Sequence, residues 1–327
     1  MKNILKYIPI TRFSTLFLCW LVTCFVPDID HPLLNICGEK GSGKSTVNEI
    51  LKSLIDPSIL DTLKLPNDQR SLVVSLQQHW FAPFDNVSRI SNDTSDDLCR
   101  AITGSGIQQR TLYTNAKAKN FKFNRVISIN GIFNSVTRSD LLDRTILVEV
   151  SRISKSDRRT KSEIKADFAQ NKTEMLGGIF DTLAKAMAIY PTVKLDGLPR
   201  MADFTKWGYA IGEALGGKGN QFLSEYEENC LLQNDHAINE DTVAALMVEL
   251  MSGCSGWEGK VSELYTELKN TAIKHGFNTN AKDFPQHNNR LTQHLDSIRS
   301  NLEDAGITYE NLGHGRTGTT LIIRKLL

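Results

Sequence analysis

The sequence is poor in several things that would each point to a class of protein. Net charge is only +1, so no global polycation argues for nucleic acid. There are nine prolines and no low-complexity tract, and 40% of residues are hydrophobic against 23% charged, the balance of a globular chain. The six cysteines, at positions 19, 24, 37, 99, 230 and 254, include no C-x-x-C pair. That spacing excludes a zinc ribbon or a disulfide framework and fits thiols kept in a reducing, cytoplasmic compartment. No apolar run is long enough to span a bilayer. The nearest imitation is the uncharged stretch Phe13 to Val26 behind Lys2, Lys6 and Arg12. It resembles a signal peptide but lacks a small-residue cleavage site, and a buried helix is expected instead.

What is present begins at Gly38-Glu39-Lys40-Gly41-Ser42-Gly43-Lys44-Ser45-Thr46, which fits G-x-x-x-x-G-K-[ST]. Ahead of it, Leu33 to Cys37 reads as a buried strand. Behind it, Val47, Ile50, Leu51, Leu54 and Ile55 fall at helical spacing. Strand, glycine loop and helix are the context of a phosphate-binding loop. Its backbone N–H groups, from Gly38, Gly41, Ser42, Gly43 and Thr46, turn toward an anion at a helix N-terminus. Lys44 is expected to reach the terminal phosphates of ATP and Ser45 to ligate Mg²⁺.

Trp80 to Asn86 is an apolar run ending in Asp85, as the Mg²⁺-side strand of such a site requires, although Pro83 is unusual for a central strand. Asn86 stands where many ATPases carry a second acid. Thr94 to Asp97 opens a helix that Gly104 breaks. Arg110 to Tyr113 and Phe121 to Phe123 read as two strands of a hairpin, with Thr114 to Asn120 as its polar tip. Lys117, Lys119 and Lys122 make the hairpin basic. From Arg110 to Lys165 there are thirteen Lys/Arg against five Asp/Glu, a local excess that fits an anionic partner. Val126 to Gly131 is a further strand, placing Asn130 at its end. Arg138 to Arg144 leads into the strand Thr145 to Val150, with Arg144 just ahead of an edge strand.

The order of these parts resembles that of AAA+ ATPases, and within them the superfamily 3 helicases of phages, plasmids and integrated elements. It is similar to the helicase portion of phage primase-helicases over about Leu16 to Leu250. The segments that carry the likeness are F-D-N-V-S at 84–88, L-C-R-x-x-T-G at 98–104, L-Y-T at 112–114, I-N-G-I at 129–132 and R-x-D-L-L-D-R at 138–144. The resemblance implies Lys44, Asp85 and Asn130 as catalytic groups and Arg144 as a finger acting on a neighbouring copy. Ser45 and Asp85 are the implied metal side of the site. It also implies a homohexameric ring on single-stranded or forked DNA, with the hairpin lysines Lys117, Lys119 and Lys122 as DNA contacts. No primase-like segment precedes the loop, so priming, where it is needed, is expected of a separate primase or polymerase or of a part not present here.

The later chain reads as helical. Met175 to Met187 and Met201 to Ile211 carry apolar faces, and further runs lie at 222–232 and 243–251. Arg200, at the start of one helix, is a candidate second sensor for the γ-phosphate. Gly253 to Gly259 reads as a linker. A helix over 261–274, another carrying Leu291, Leu295, Ile298 and Leu302, and a hairpin over 307–325 suggest a winged helix. Lys282, Arg290, Arg299 and Arg316 are its candidate DNA contacts. The expected architecture is therefore α/β: an N-terminal helical segment (1–31), a parallel-sheet ATPase core (32–152), a helical lid (153–252) and a winged helix (256–327). The leading expectation is an ATP-driven DNA helicase or translocase. The alternatives are an origin loader without unwinding, and a winged-helix DNA-binding protein with a degenerate nucleotide site.

Overall fold

The computed structural model describes residues 2–110, 118–121, 124–132, 134–154, 156–279, 284–315 and 318–326. In chain order the elements are α1 (Ser14–Thr23), β1 (Leu33–Cys37), α2 (Lys44–Ile55), α3 (Gln69–Gln78), β2 (Phe81–Phe84), α4 (Asn92–Ile102), β3 (Ile107–Arg110), β4 (Ala118–Phe121), β5 (Val126–Gly131), α5 (Ser139–Leu142) and β6 (Thr145–Glu149). There follow α6 (Lys161–Ile189), α7 (Ala202–Ala214), α8 (Gly219–Glu240), α9 (Thr242–Ser252), β7 (Gly256–Lys260), α10 (Val261–His275), α11 (Leu291–Ser297), α12 (Arg299–Asp304), β8 (Ile307–Gly315) and β9 (Gly318–Lys325). The chain divides into two units. One is Met1–Val136 with Asp143–Cys230; the other is Thr137–Leu142 with Leu231–Leu327. The division falls within α8.

The first unit is built on a four-stranded parallel sheet in the order β2-β5-β1-β6. Its strands are apolar and buried almost throughout, as strands covered on both faces must be. Both edges of this sheet are closed. At β2, Leu63 donates its N–H to the Pro83 carbonyl and accepts from the Asp85 N–H, both at 2.8 Å. Pro83 therefore lies on an edge strand, not a central one. Its carbonyl faces outward to Leu63, so its missing N–H takes nothing from the β5 ladder. At β6, the carboxamide of the buried Asn229 accepts from Leu147 N at 3.0 Å and donates to Leu147 O at 2.7 Å. These contacts satisfy the groups that an open edge would present.

Helix α1 is buried from Thr15 to Thr23, and Trp20 stands edge-on to Phe81 of β2 at 6.2 Å. Among the described residues no helix is long and apolar enough to cross a membrane. Helix α2 shows the apolar stripe read from the sequence, and its buried Asn48 meets Ser128 of β5 at 2.8 Å. Helix α6 opens on a capping box, Thr160 with Glu163. It is held to α2 by Lys161 on Glu49 (2.6 Å) and Lys172 on Ser53 (3.0 Å).

Several expectations are corrected. Helix α4 begins at Asn92 with Ser91 as its cap, ahead of Thr94. The antiparallel pair β3–β4 exists, but its first strand already runs from Ile107, ahead of Arg110; residues 111–117 and 122–123 lie outside the described residues. Lys119 pairs with Gln109 within β4 and is not at the hairpin tip. Lys117 and Lys122 lie outside the described residues.

The second unit holds a three-stranded antiparallel sheet, β7-β9-β8, against α9 to α12. Its core includes Leu246 and Met247 of α9, Leu264 and Leu268 of α10, Leu291 and Leu295 of α11, Leu302 of α12 and Ile323 of β9, all fully buried. Helix α9 thus belongs to this unit, where its apolar face is covered, and not to a lid ending at 252. The segment read as a linker is largely strand. Gly256 to Lys260 pair with β9, and Trp257 Nε1 donates to Glu267 at 2.8 Å. The helix read across Leu291 to Leu302 is broken at Ile298 into α11 and α12. Buried Asn301 pairs with buried Asn234, donating to its Oδ1 at 2.8 Å.

Candidate functional site

The loop after β1 and the ends of β2 and β5 meet at the C-terminal edge of the parallel sheet. From β1 the chain crosses two positions to β2 and later returns to the other side as β6, so the loop lies where the winding reverses. Open α/β sheets bind ligands in that crevice.

Gly43 caps α2 with φ +82°, a left-handed conformation that glycine adopts without strain. Gly38 leaves no room for a side chain: a Cβ there would stand 2.6 Å from the Val150 carbonyl and 2.9 Å from Ser42 Oγ. Lys44 folds back over this cradle. Its ammonium donates to the carbonyls of Gly38 (2.6 Å) and Glu39 (2.8 Å), with Ser42 Oγ at 3.4 Å. Burial lowers its pKa, partly offset by Cys37 and by the Asp85 carboxylate. Asp85 therefore lies within electrostatic reach of Lys44. Ser45 is exposed at the first turn of α2 and Thr46 half-buried beside it.

Asp85 and Asn130 are brought together. Asn130 Nδ2 donates to Asp85 Oδ1 at 2.6 Å, and its Oδ1 accepts from the Asn86 N–H at 2.8 Å. The Asn130 carbonyl accepts from Val87 N, also at 2.8 Å. The turn after β2 is thus wrapped around one side chain. Asn86, at φ +57°, takes the left-handed conformation that Asn tolerates better than most residues. In the sequence Asn86 shows only what it lacks, a carboxylate; that its backbone N–H anchors the pair is visible only in the fold.

Arg144 and Arg200 are elsewhere. Arg144 precedes Thr145, which pairs with Leu33 at the start of β1, while Cys37 beside the loop pairs with Glu149. Four strand steps, about 13 Å, separate those ends. Arg144 is half-buried; its Nη1 lies 4.0 Å from Cys99 Sγ, and its charge pulls down the Asp30 carboxyl that burial raises. Arg200 is bonded to Asp143 at 3.1 Å, at that same far end. Neither is brought to Lys44 of its own copy. For Arg200 this departs from the expected contact with the γ-phosphate. The sequence put it near a helix start, but the ion pair with Asp143 fixes the sheet end at which that start lies.

A cleft of about 880 Å³ adjoins the loop. Lys40 to Gly43 and Thr46 form one wall, Ser151 to Ser154 with Asp157 to Arg159, Lys161 and Ile164 another, and Lys6, Tyr7 and Pro9 a third. The last is held by the bridge between Ile10 and Val150 and by Ser151 N on the Pro9 carbonyl. The cleft is strongly cationic. Asp167 binds Arg159 at 2.9 Å and Lys6 at 3.3 Å, and the hydrogen bond from Arg159 holds its carboxyl below the usual range despite some desolvation. This cleft was missed in the sequence, although an Arg-Arg pair just ahead of a Thr-x-x-Glu helix start was a readable signal.

Among the C-terminal candidates, Arg290 is exposed. Arg299 is engaged instead, stacked over the Tyr309 ring at 4.5 Å. Lys282 and Arg316 lie outside the described residues.

The model of the replication protein of actinomycete integrative conjugative elements matches residues 4–228, and the model of the AICE RepA C-terminal domain matches residues 243–326. The chain belongs to this family. It is therefore a replication protein of a mobile element, the kind of source that the ordered motifs resembled. No curated protein matches it. Similar solved structures include the active helicase Cch of SCCmec type IV, at 15% identity over 99% of this chain and 69% of that one, with a TM-score of 0.46. The NrS-1 C-terminal region follows at 14%, 99%, 74% and 0.44. The JCV helicase stands at 11%, 66%, 60% and 0.30. Each TM-score is below 0.5, too low to argue a shared fold from it.

Proposed function

We propose that this replication protein is an ATP-dependent DNA helicase or translocase of AAA+ type, with the catalytic site at the phosphate loop. The observation that carries the reading is the convergence of three parts at one sheet edge: the Gly38–Thr46 cradle, the Lys44 ammonium folded over it, and the Asp85–Asn130 pair within electrostatic reach. The cradle fits a nucleotide polyphosphate, because Lys44 rests on carbonyls that anionic oxygens would replace as partners. Mg²⁺ is bound through one or two protein oxygens plus phosphates, so Ser45 and Asp85 suffice as its protein donors. When bound, it supplies charge neutralisation at the phosphates. Lys44 orients the terminal phosphates and Asn130 holds Asp85 in place and offers its carboxamide near the reacting end.

In this reading residues 32–152 are the ATPase core, α6 to α8 its helical lid, and 256–327, joined by α9, a winged helix. The β3–β4 hairpin, with Lys117, Lys119 and Lys122, grips DNA phosphates, which makes the contact salt-sensitive and tolerant of sequence. Arg290 and Arg316 are secondary contacts. Arg144, too far from its own loop, serves the loop of a neighbouring copy in a ring, with Arg200 on Asp143 beside it.

The test is ATP hydrolysis and forked-duplex unwinding by wild type and Lys44→Ala. We expect both activities in the wild type and loss of both in the variant, with an unchanged circular-dichroism spectrum. Hydrolysis without strand separation would favour the second reading, an assembly switch that loads partners at an origin. The observation that favours it is Asn86: no carboxylate follows Asp85 to polarise water, which suits slow turnover.

A further inference from the structure

The cleft beside the phosphate loop carries cations that its acids mostly tie down. Arg159 and Lys6 share Asp167, Lys161 sits on Glu49, and Arg152 reaches Glu39 at 3.5 Å. Arg158 differs. It is exposed, it lines the cleft, and among the described residues no acid or carbonyl holds its guanidinium. The adjacent Asp157 forms no ion pair with it; that carboxylate accepts from the hydroxyls of Ser154 (2.7 Å) and Ser156 (3.3 Å) instead.

The guanidinium also stands over the loop. A Cβ built on Gly41 would lie 3.7 Å from Arg158 Nη2, within van der Waals contact. The backbone behind the side chain is pinned on both sides. Asp157 N bonds back to Ser154, and Thr160 locks the start of α6 through its reciprocal bonds with Glu163. A fixed backbone, an uncommitted planar fork and a neighbouring anion cradle are the elements of a bidentate phosphate contact.

We infer that Arg158 is a polyphosphate-binding residue of the loop's own copy, gripping the terminal phosphates of the nucleotide alongside Lys44. The inference rests on the nucleotide reading of the loop. It gives that site an arginine in cis, which Arg200, at the other end of the sheet, does not supply.

The test is equilibrium binding of fluorescent ATP and AMP analogues to the full chain with Mg²⁺, comparing wild type with Arg158→Ala, Arg158→Lys, Arg159→Ala and Lys44→Ala. Arg158→Ala should weaken ATP about tenfold or more and AMP less than twofold. Arg158→Lys should recover part of the loss, since it keeps the charge and loses the fork. Arg159→Ala, whose parent side chain is committed to Asp167, should change ATP affinity less than twofold. An ATP affinity of Arg158→Ala within twofold of wild type overturns the inference. So does an equal loss for ATP and AMP, or an equal loss in Arg159→Ala. If wild type binds no ATP, or Lys44→Ala binds it as well as wild type, the nucleotide reading itself fails and takes the inference with it.

Discussion

Two buried basic side chains of the first unit, Lys52 and His31, meet opposite surroundings. Lys52 is 1% exposed and fully engaged: its ammonium donates to Asp56 (2.7 Å) and the Phe81 carbonyl (2.7 Å) and meets His79 Nδ1 at 3.1 Å. Burial lowers its pKa and Asp56 pulls it part of the way back. For Asp56, burial pushes up, but the bonds from Lys52 and the Phe81 N–H outweigh it and the value falls. This cluster ties the end of α2 to the start of the strand that carries Asp85. It was illegible in the sequence, where a lysine on an amphipathic helix reads as solvent-facing. His31 is 0% exposed, stands edge-on to Trp80 at 5.7 Å, and neither ring nitrogen makes a hydrogen bond of good geometry. Burial pushes its pKa down to about 4, with a small opposing pull from the Val26 backbone. The folded value lies below the unfolded 6.5, so the unfolded chain takes up the proton first as pH falls. The stability is fully present above pH 6.5 and is lost progressively toward pH 4. Over that window the loss is on the order of 3 kcal/mol. Urea unfolding at pH 7 and pH 4.5 should therefore show wild type losing roughly 2–3 kcal/mol more than His31→Leu. Equal losses in the two proteins would remove the claim.

At the scale of elements, short patterns with a local cause were legible and tertiary choices were not. β1 and β5 follow from apolar runs that end at a glycine, and α2 from helical spacing that begins after Gly43. α10 follows from its periodicity and ends at Gly276, in the left-handed conformation at φ +76°. β7 was not legible, because two glycines around Trp257 look like a linker until β9 supplies the pairing. The break between α11 and α12 was hidden as well, since the apolar spacing from Leu291 to Leu302 runs on through Ile298. Helix α6 offers a direct test at this scale. Thr160 and Glu163 satisfy each other's backbone N–H groups at its start. Thr160→Ala should cost about 1 kcal/mol. In a unit of this size that lowers the melting temperature by roughly 2–4 °C. A calorimetric shift below half a degree would mean that the first turn of α6 does not limit stability.

For the whole molecule, the parts of the site that share one copy were readable, because loop, Asp85 and Asn130 are each set by a strand end. What depends on which end of the sheet a residue occupies was not readable, as Arg200 illustrates. Arg144 sits about 13 Å of strand away from its own loop, so under the proposed function a direct contact with the terminal phosphates falls to the Arg144 of a second copy. Arg144→Ala should bind ATP normally yet turn it over about 10³-fold more slowly. Mixing it with Asp85→Asn subunits, inactive alone, should restore part of the activity, because some interfaces then pair an intact Arg144 with an intact Asp85. A mixture no more active than its components would argue against a shared site. The two rims of the parallel sheet bear on how such copies meet. Leu63 occupies one and Asn229 the other, so no ladder can run from this sheet into a neighbour's, and the route from there to backbone-stacked fibrils is closed as well. Association through this sheet is left to side chains, whose contacts salt and nucleotide can undo without unzipping a strand.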